Sequence, residues 1–118
     1  VNAGHNPPIL LRSSGGAWQV TRLSTGGTVI GLLENYPYQE ERITLEPGDL
    51  MVAFTDGISE AMNAADEEFG EQRLLEVVQE CTQMKAAEVV TTIVRAADAF
   101  AAGASQHDDM TLVVLRVG

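Results

Sequence analysis

Residues Leu50–Glu60 read Leu-Met-Val-Ala-Phe-Thr-Asp-Gly-Ile-Ser-Glu, and no other stretch of the chain constrains its fold so tightly. Five consecutive apolar residues are too few for a helix and too unbroken for a half-exposed strand. They predict a strand covered on both faces. It runs directly into Thr55-Asp56-Gly57, which sets a carboxylate where a buried element ends. Gly57 permits a sharp turn or the close approach of another backbone. An acid held at the mouth of a rigid core suits a hard metal ion. It equally suits a helix cap for the short segment Ile58–Asn63. Both readings stand at this point.

The chain has 118 residues, enough for one domain with a real core. Its 45% apolar and 20% charged content is that of an ordinary globular chain. Seventeen acids against seven bases give a net charge of −10, which argues against nucleic acid or anionic membrane as a partner. If so acidic a chain handles an anion, positive charge must come from elsewhere, and a bound metal is the obvious source. No apolar run approaches the roughly 20 residues of a membrane span, and no signal peptide is visible. The single cysteine, Cys81, excludes an internal disulfide and predicts a buried helix residue in a reducing, cytoplasmic setting.

Along the chain, Val1–Ala3 reads as the end of a strand that Gly4-His5-Asn6-Pro7-Pro8 interrupts. Ile9–Arg12 and Ala17–Leu23 flank Ser13-Ser14-Gly15-Gly16 and predict a hairpin. Ser24–Thr28 is glycine-rich and loop-like, and leads into an apolar patch at Val29–Leu33. Gln39–Leu45 alternates, and Pro47-Gly48-Asp49 is a tight-turn signal. Together they predict a second hairpin in which Gln39–Leu45 folds back on Leu50–Phe54. Helical periodicity follows over Glu71–Thr82 and again over Ala86–Ala102, the second without a clear N-cap and with Gly103 as its stop. Met110–Val117 reads as another buried strand. Strands paired in antiparallel fashion beside two helices make an α+β layered fold, whose sheet needs a second cover that the helices alone cannot supply.

Three acids flank the two apolar strands. Asp56 follows the first, and Asp108 and Asp109 precede the second. If the strands are antiparallel neighbours, these carboxylates meet at one rim of the sheet. Like charges gathered this way repel unless they protonate or share a cation. Oxygen donors without a Cys/His pair point to Mg²⁺ or Mn²⁺ rather than zinc. The competing reading places them in two unrelated solvated loops. His5, in a Gly/Pro-framed loop, has the chemistry of a general acid or base, or is a solvated turn residue. His107 stands beside Asp108. Glu60 and Asn63 line the same mouth as Asp56 or only solvate it. Asp66-Glu67-Glu68 reads as a surface loop.

The motifs Asn2-Ala3-Gly4-His5-Asn6-Pro7-Pro8, Pro47-Gly48-Asp49, Thr55-Asp56-Gly57-Ile58-Ser59-Glu60-Ala61, Phe69-Gly70 and Asp108-Asp109-Met110-Thr111 occur in that order. Together they closely resemble the metal-dependent PPM-type serine/threonine phosphatases, in the bacterial branch of sporulation and stress-response regulators. The resemblance implies an antiparallel β-sandwich flanked by helices (αββα), with residues 1–118 forming the C-terminal portion of one such domain. It implies two Mn²⁺ or Mg²⁺ ions in the complete domain, activating a water that attacks phosphoserine or phosphothreonine. Asp56 and Asp108 would be metal ligands, with Asp109 ranked below them. His5, Gly57 and Glu60 would lie at the rim or near substrate, and none of the three is assigned a catalytic role. The implied partner is a phosphorylated regulatory protein such as an anti-sigma-factor antagonist.

The family's first metal-bridging acid lies in a Gly-Asp-x-x-Gly-His-Gly type motif, which nothing here matches. With the abrupt start at Val1, this predicts a domain truncated on its N-terminal side, with an incomplete metal site and little or no activity of its own. The alternative is a non-catalytic interaction module or an inactive fragment. An exposed sheet in a truncated domain also points to self-association as a homodimer.

Overall fold

The computed structural model describes residues 1–81, 83–104 and 109–118. The strands are β1 (Asn2–Ala3), β2 (Ile9–Ser14), β3 (Ala17–Arg22), β4 (Gly26–Gly27), β5 (Leu50–Phe54) and β6 (Leu112–Arg116). The helices are α1 (Asp56–Ser59), α2 (Gly70–Gln79) and α3 (Ala86–Ala101). Two compact units emerge, Val1–Ala53 with Arg116–Gly118, and Phe54–Leu115.

In the first unit, β2 and β3 form the expected hairpin, in register from Ile9 opposite Arg22 to Ser14 opposite Ala17. Its two-residue turn is Gly15-Gly16, both at positive φ, as the twist of a tight hairpin demands. β2 pairs on its other side with β5, also antiparallel, Ile9 opposite Val52 and Leu11 opposite Leu50. Ile9, Leu10 and Leu11 are all buried, as are Leu50 and Val52. Burying each of these side chains contributes roughly 1.5–3 kcal/mol. β1 pairs in parallel with β4, within a stretch whose glycines had suggested only a loop.

The strand order is β3-β2-β5-β6. Hydrogen bonds at the two ends of the last pair give its direction. Thr55 N–H donates to Thr111 O at 3.1 Å, and Val117 N–H donates to Asp49 O at 3.0 Å. Thr55 therefore faces Thr111 and Asp49 faces Val117, so β5 and β6 are antiparallel. This is the mixed α/β arrangement with an antiparallel sheet that the sequence implied.

The hairpin expected between Gln39–Leu45 and β5 does not form, and residues 39–45 are not a strand. A strand has two edges, and both edges of β5 are taken, one by β2 and the other by β6. The tight turn itself is present. Asp49 N–H donates to Glu46 O at 3.0 Å, and Gly48 has φ +90°, the conformation a Pro-Gly type II turn needs. The chain ahead of it is held by Arg12, which donates to Thr44 O at 2.9 Å.

β6 also departs from expectation. Its apolar run predicted burial, yet Val113 is 59% and Leu115 41% exposed. Successive side chains of a strand point to opposite faces, and Val113 and Leu115 lie on the face that is exposed.

In the second unit, α2 buries Leu74 and Val78, one helical turn apart, and α3 buries Val89, Ile93 and Ala97 at the same spacing. Phe54, Ile58, Phe69 and Cys81 complete this core. Val90, beside Val89, is only half-buried. Phe69 and Phe100 meet edge to face at 5.6 Å, and the Arg73 guanidinium lies 4.4 Å from the Phe100 ring centre. No side chain caps the start of α3, and left-handed Ala102 followed by Gly103 ends it.

Candidate functional site

Within the second unit, the C-terminal end of β5 meets the approach to β6. After Phe54 the chain enters α1, a single helical turn whose N-cap is Thr55 and whose first residue is Asp56. The first turn closes with Ile58 N–H on Thr55 O at 3.1 Å, then Glu60 N–H on Asp56 O at 2.8 Å. Asp56 and Glu60 are exposed, whereas Gly57 and Ile58 are buried.

Segment 109–111 lies directly against this turn. A Cβ built on Gly57 would sit 2.0 Å from the carbonyl oxygen of Asp109. Gly57 is therefore there for close backbone approach, one of the two roles the sequence left open. Thr111 N–H donates to Thr55 Oγ1 at 3.0 Å, and Thr55 Oγ1 lies 3.4 Å from Asp109 O. The backbones bearing Asp56 and Asp109 are thus brought together at one end of an antiparallel pair, as the two-strand argument required.

Asp108 and its neighbour His107 lie outside the described residues. Exposed oxygen donors at Asp56 and Asp109 have the donor chemistry of a hard divalent cation. Among the described residues, no group of three His, Cys, Asp or Glu side chains is placed to hold a metal ion.

His5 belongs to the other unit and has surroundings of its own. Its backbone N–H donates to Asn2 Oδ1 at 2.9 Å, and Asn2 Nδ2 donates to His5 O at 3.0 Å, which fixes the Gly4 turn. His5 Nδ1 is 2.8 Å from Asn6 O. A carbonyl only accepts, so Nδ1 carries the proton there. Asn2, His5, Thr25 and Glu41 form the polar side of a cleft of about 320 Å³ whose apolar side includes Pro8, Leu23 and Ile43. Downstream of α1, Asn63 Oδ1 accepts from Ala65 and Glu67 N–H at 2.9 and 3.0 Å. Asp66, Glu67 and Glu68 are exposed, as a surface loop should be.

One polar cluster escaped the sequence reading. Asp49, only 1% exposed, accepts from Arg12 Nε at 3.0 Å, from Arg12 Nη2 at 2.7 Å and from Glu46 N–H at 2.8 Å. The Arg12 bonds, with the Glu46 N–H adding to them, hold its carboxyl below the usual carboxylate range despite burial. The same ion pair raises the Arg12 guanidinium. An acid directly before five apolar residues, and an arginine directly after Ile9-Leu10-Leu11, were the signals available.

Comparison with known proteins fixes the class first. The SiaA-PP2C domain of Pseudomonas aeruginosa superposes with a TM-score of 0.74 at 19% identity, over 98% of this chain and 44% of that one. The fold is that of PPM-type (PP2C) phosphatases. Residues 1–118 match the family of stage II sporulation protein E (SpoIIE) throughout, and the chain belongs to that family.

Among its relatives, protein IcfG of Synechocystis is 30% identical over 115 residues, and the phosphoserine phosphatase RsbU of Bacillus subtilis is 29% identical over 118. Each alignment covers 98% of this chain, which spans 18% of IcfG and 33% of RsbU. Among the described residues, no helix is long and apolar enough to cross a membrane.

Proposed function

We propose that this chain is part of the catalytic domain of a Mn²⁺- or Mg²⁺-dependent phosphatase that removes phosphate from serine or threonine on a regulatory protein. The observation that carries this reading is the meeting of the Thr55-Asp56-Gly57 turn with segment 109–111. Asp56 and Asp108, with Asp109 next to Asp108 in sequence and ranked below them, would contribute carboxylate oxygens to the metal site of the whole domain. Bound there, a divalent cation would supply an activated water and neutralise phosphoryl oxygens. The chain's own contribution is positioning: the ladder end and the Gly57 contact fix where two acids stand. A net charge of −10 disfavours approach of a phosphoprotein, and a cation held by these acids would offset it. Gly57 and Glu60 are read as rim residues without a proton-transfer role.

A phosphoserine regulator in a cytoplasmic signalling pathway is the substrate class that fits. It is consistent with the phosphoserine phosphatase RsbU among the relatives. A non-catalytic contact module is the second reading, favoured by the exposed run of Val29, Ile30, Leu32 and Leu33.

The test is hydrolysis of a phosphoserine-bearing regulatory protein by the full-length protein, with and without Mn²⁺. Activity should appear with Mn²⁺, vanish on chelation, and fall at least 100-fold in Asp56→Asn, as for a group acting on developing charge. Activity indifferent to chelation, or an Asp56→Asn variant as active as its parent, would sink the reading. No activity at all, with binding of the phosphoprotein retained, would favour the contact module.

A further inference from the structure

We propose that Thr55 is a positioning residue whose hydroxyl sets the distance between the two acid-bearing segments. The proposal rests on the metal-dependent reading above and deepens it. At position 55 the backbone must finish the β5–β6 ladder and begin α1 in the same residue. Its single carbonyl is committed to the helix, accepting Ile58 N–H at 3.1 Å. In a regular antiparallel pair that carbonyl would instead accept the N–H of the facing residue. The facing residue, Thr111, turns its N–H to Thr55 Oγ1 at 3.0 Å, while Thr55 N–H still donates to Thr111 O at 3.1 Å. The pair keeps both of its bonds because a side-chain oxygen has replaced a main-chain one.

Thr55 also occupies the N-cap position of α1 without using its side chain as a cap. The hydroxyl is turned across the strands instead, where the carbonyls of Asp109 and Thr111 lie 3.4 and 3.5 Å away. Asp56 follows Thr55 directly, and Asp109 is two residues before Thr111. One hydroxyl therefore ties the backbone of one acid to that of the other, beside the Gly57 contact that brings them close. Ligands that must converge on one ion tolerate only about 0.5 Å of error, so a lost tie is felt as lost affinity.

The experiment is Mn²⁺ titration by calorimetry on the full-length protein and its Thr55→Val, Thr55→Ser, Thr55→Ala and Asp56→Asn variants. Hydrogen exchange over residues 109–112 and the melting temperature are followed alongside. Thr55→Val keeps the shape and loses the oxygen. It should weaken Mn²⁺ binding about 10-fold or more, as loss of a residue that orients a metal ligand does. It should also speed exchange in 109–112. Thr55→Ser should restore both. Should Thr55→Val not fold, Ser against Ala, which differ by one oxygen, gives the same comparison.

If Thr55→Val lowers the melting temperature but leaves the Mn²⁺ dissociation constant within twofold, while Asp56→Asn abolishes binding, the hydroxyl is merely structural and the proposal fails alone. If Asp56→Asn binds Mn²⁺ as the parent does, the metal reading fails and takes this role with it.

Discussion

Replacing Asp49 by Asn changes one oxygen of a side chain that the sheet encloses almost completely. Asp49 Oδ2 accepts two bonds, from Arg12 Nη2 and Glu46 N–H, and Oδ1 accepts one, from Arg12 Nε. Asn can keep its oxygen at the doubly bonded position only by turning its NH₂ toward Arg12 Nε, donor against donor. Breaking a fully buried ion pair costs about 3–5 kcal/mol, and a hydrogen bond to a charged group is worth about 1.5–3. The Arg12 side chain is 30% exposed and recovers part of its loss in water. The cost should therefore be about 2–3 kcal/mol, below the buried-pair range and within that of a hydrogen bond to a charged group.

In equilibrium urea unfolding, followed by circular dichroism and by Trp18 fluorescence, the midpoint should fall by about 1 M or more. The effect should also depend on pH. The folded carboxyl titrates below its unfolded counterpart, so its contribution is full above the unfolded value near pH 4 and fades as pH falls through the folded one. The difference between parent and variant should accordingly shrink below about pH 4 and stay constant toward neutrality. A variant within about 0.5 kcal/mol of its parent at pH 7 would refute the reasoning. So would a gap that widens in acid.

Gly57→Ala places a methyl 2.0 Å from the Asp109 carbonyl, a backbone atom that no side-chain rotation can move aside. A loss of about 1–3 kcal/mol in thermal unfolding, with weakened Mn²⁺ binding, is expected, and an unchanged melting curve would count against the close approach. Ile93→Ala, at a fully buried position of α3, should cost about 2–5 kcal/mol in urea unfolding. Ile30→Ala, at a site 75% exposed, should stay within about 0.5 kcal/mol of the parent in the same assay. A large effect at Ile30 would mean that this apolar run is covered in solution.

The local determinants of the fold were readable from the residues themselves. Five apolar residues ending in Thr-Asp-Gly specified β5 and the placement of Asp56. Helical spacing specified α2 and α3 to within a few residues. Gly15-Gly16 and Pro47-Gly48 specified their turns, because φ is a property of one residue and its neighbours. Pairing is different, because it is decided by which edges remain free. Alternation in Gln39–Leu45 made a strand credible, and only the full sheet shows β2 and β6 already occupying both sides of β5. The apolar run of β6 argued for burial in the same way, and the pleat set Val113 and Leu115 on an exposed face.

Asp49 read as a turn residue until Arg12, 37 positions earlier, was found against it. The juxtaposition of the 55–57 turn with segment 109–111 was conditional on antiparallel neighbours, a condition no single stretch of sequence contains. Composition and periodicity act through neighbours along the chain, so the sequence alone determined β2, β3, β5, the two longer helices and the tight turns. Edge occupancy, burial and the double duty of Thr55 depend on partners distant along the chain, and only the tertiary structure decided them.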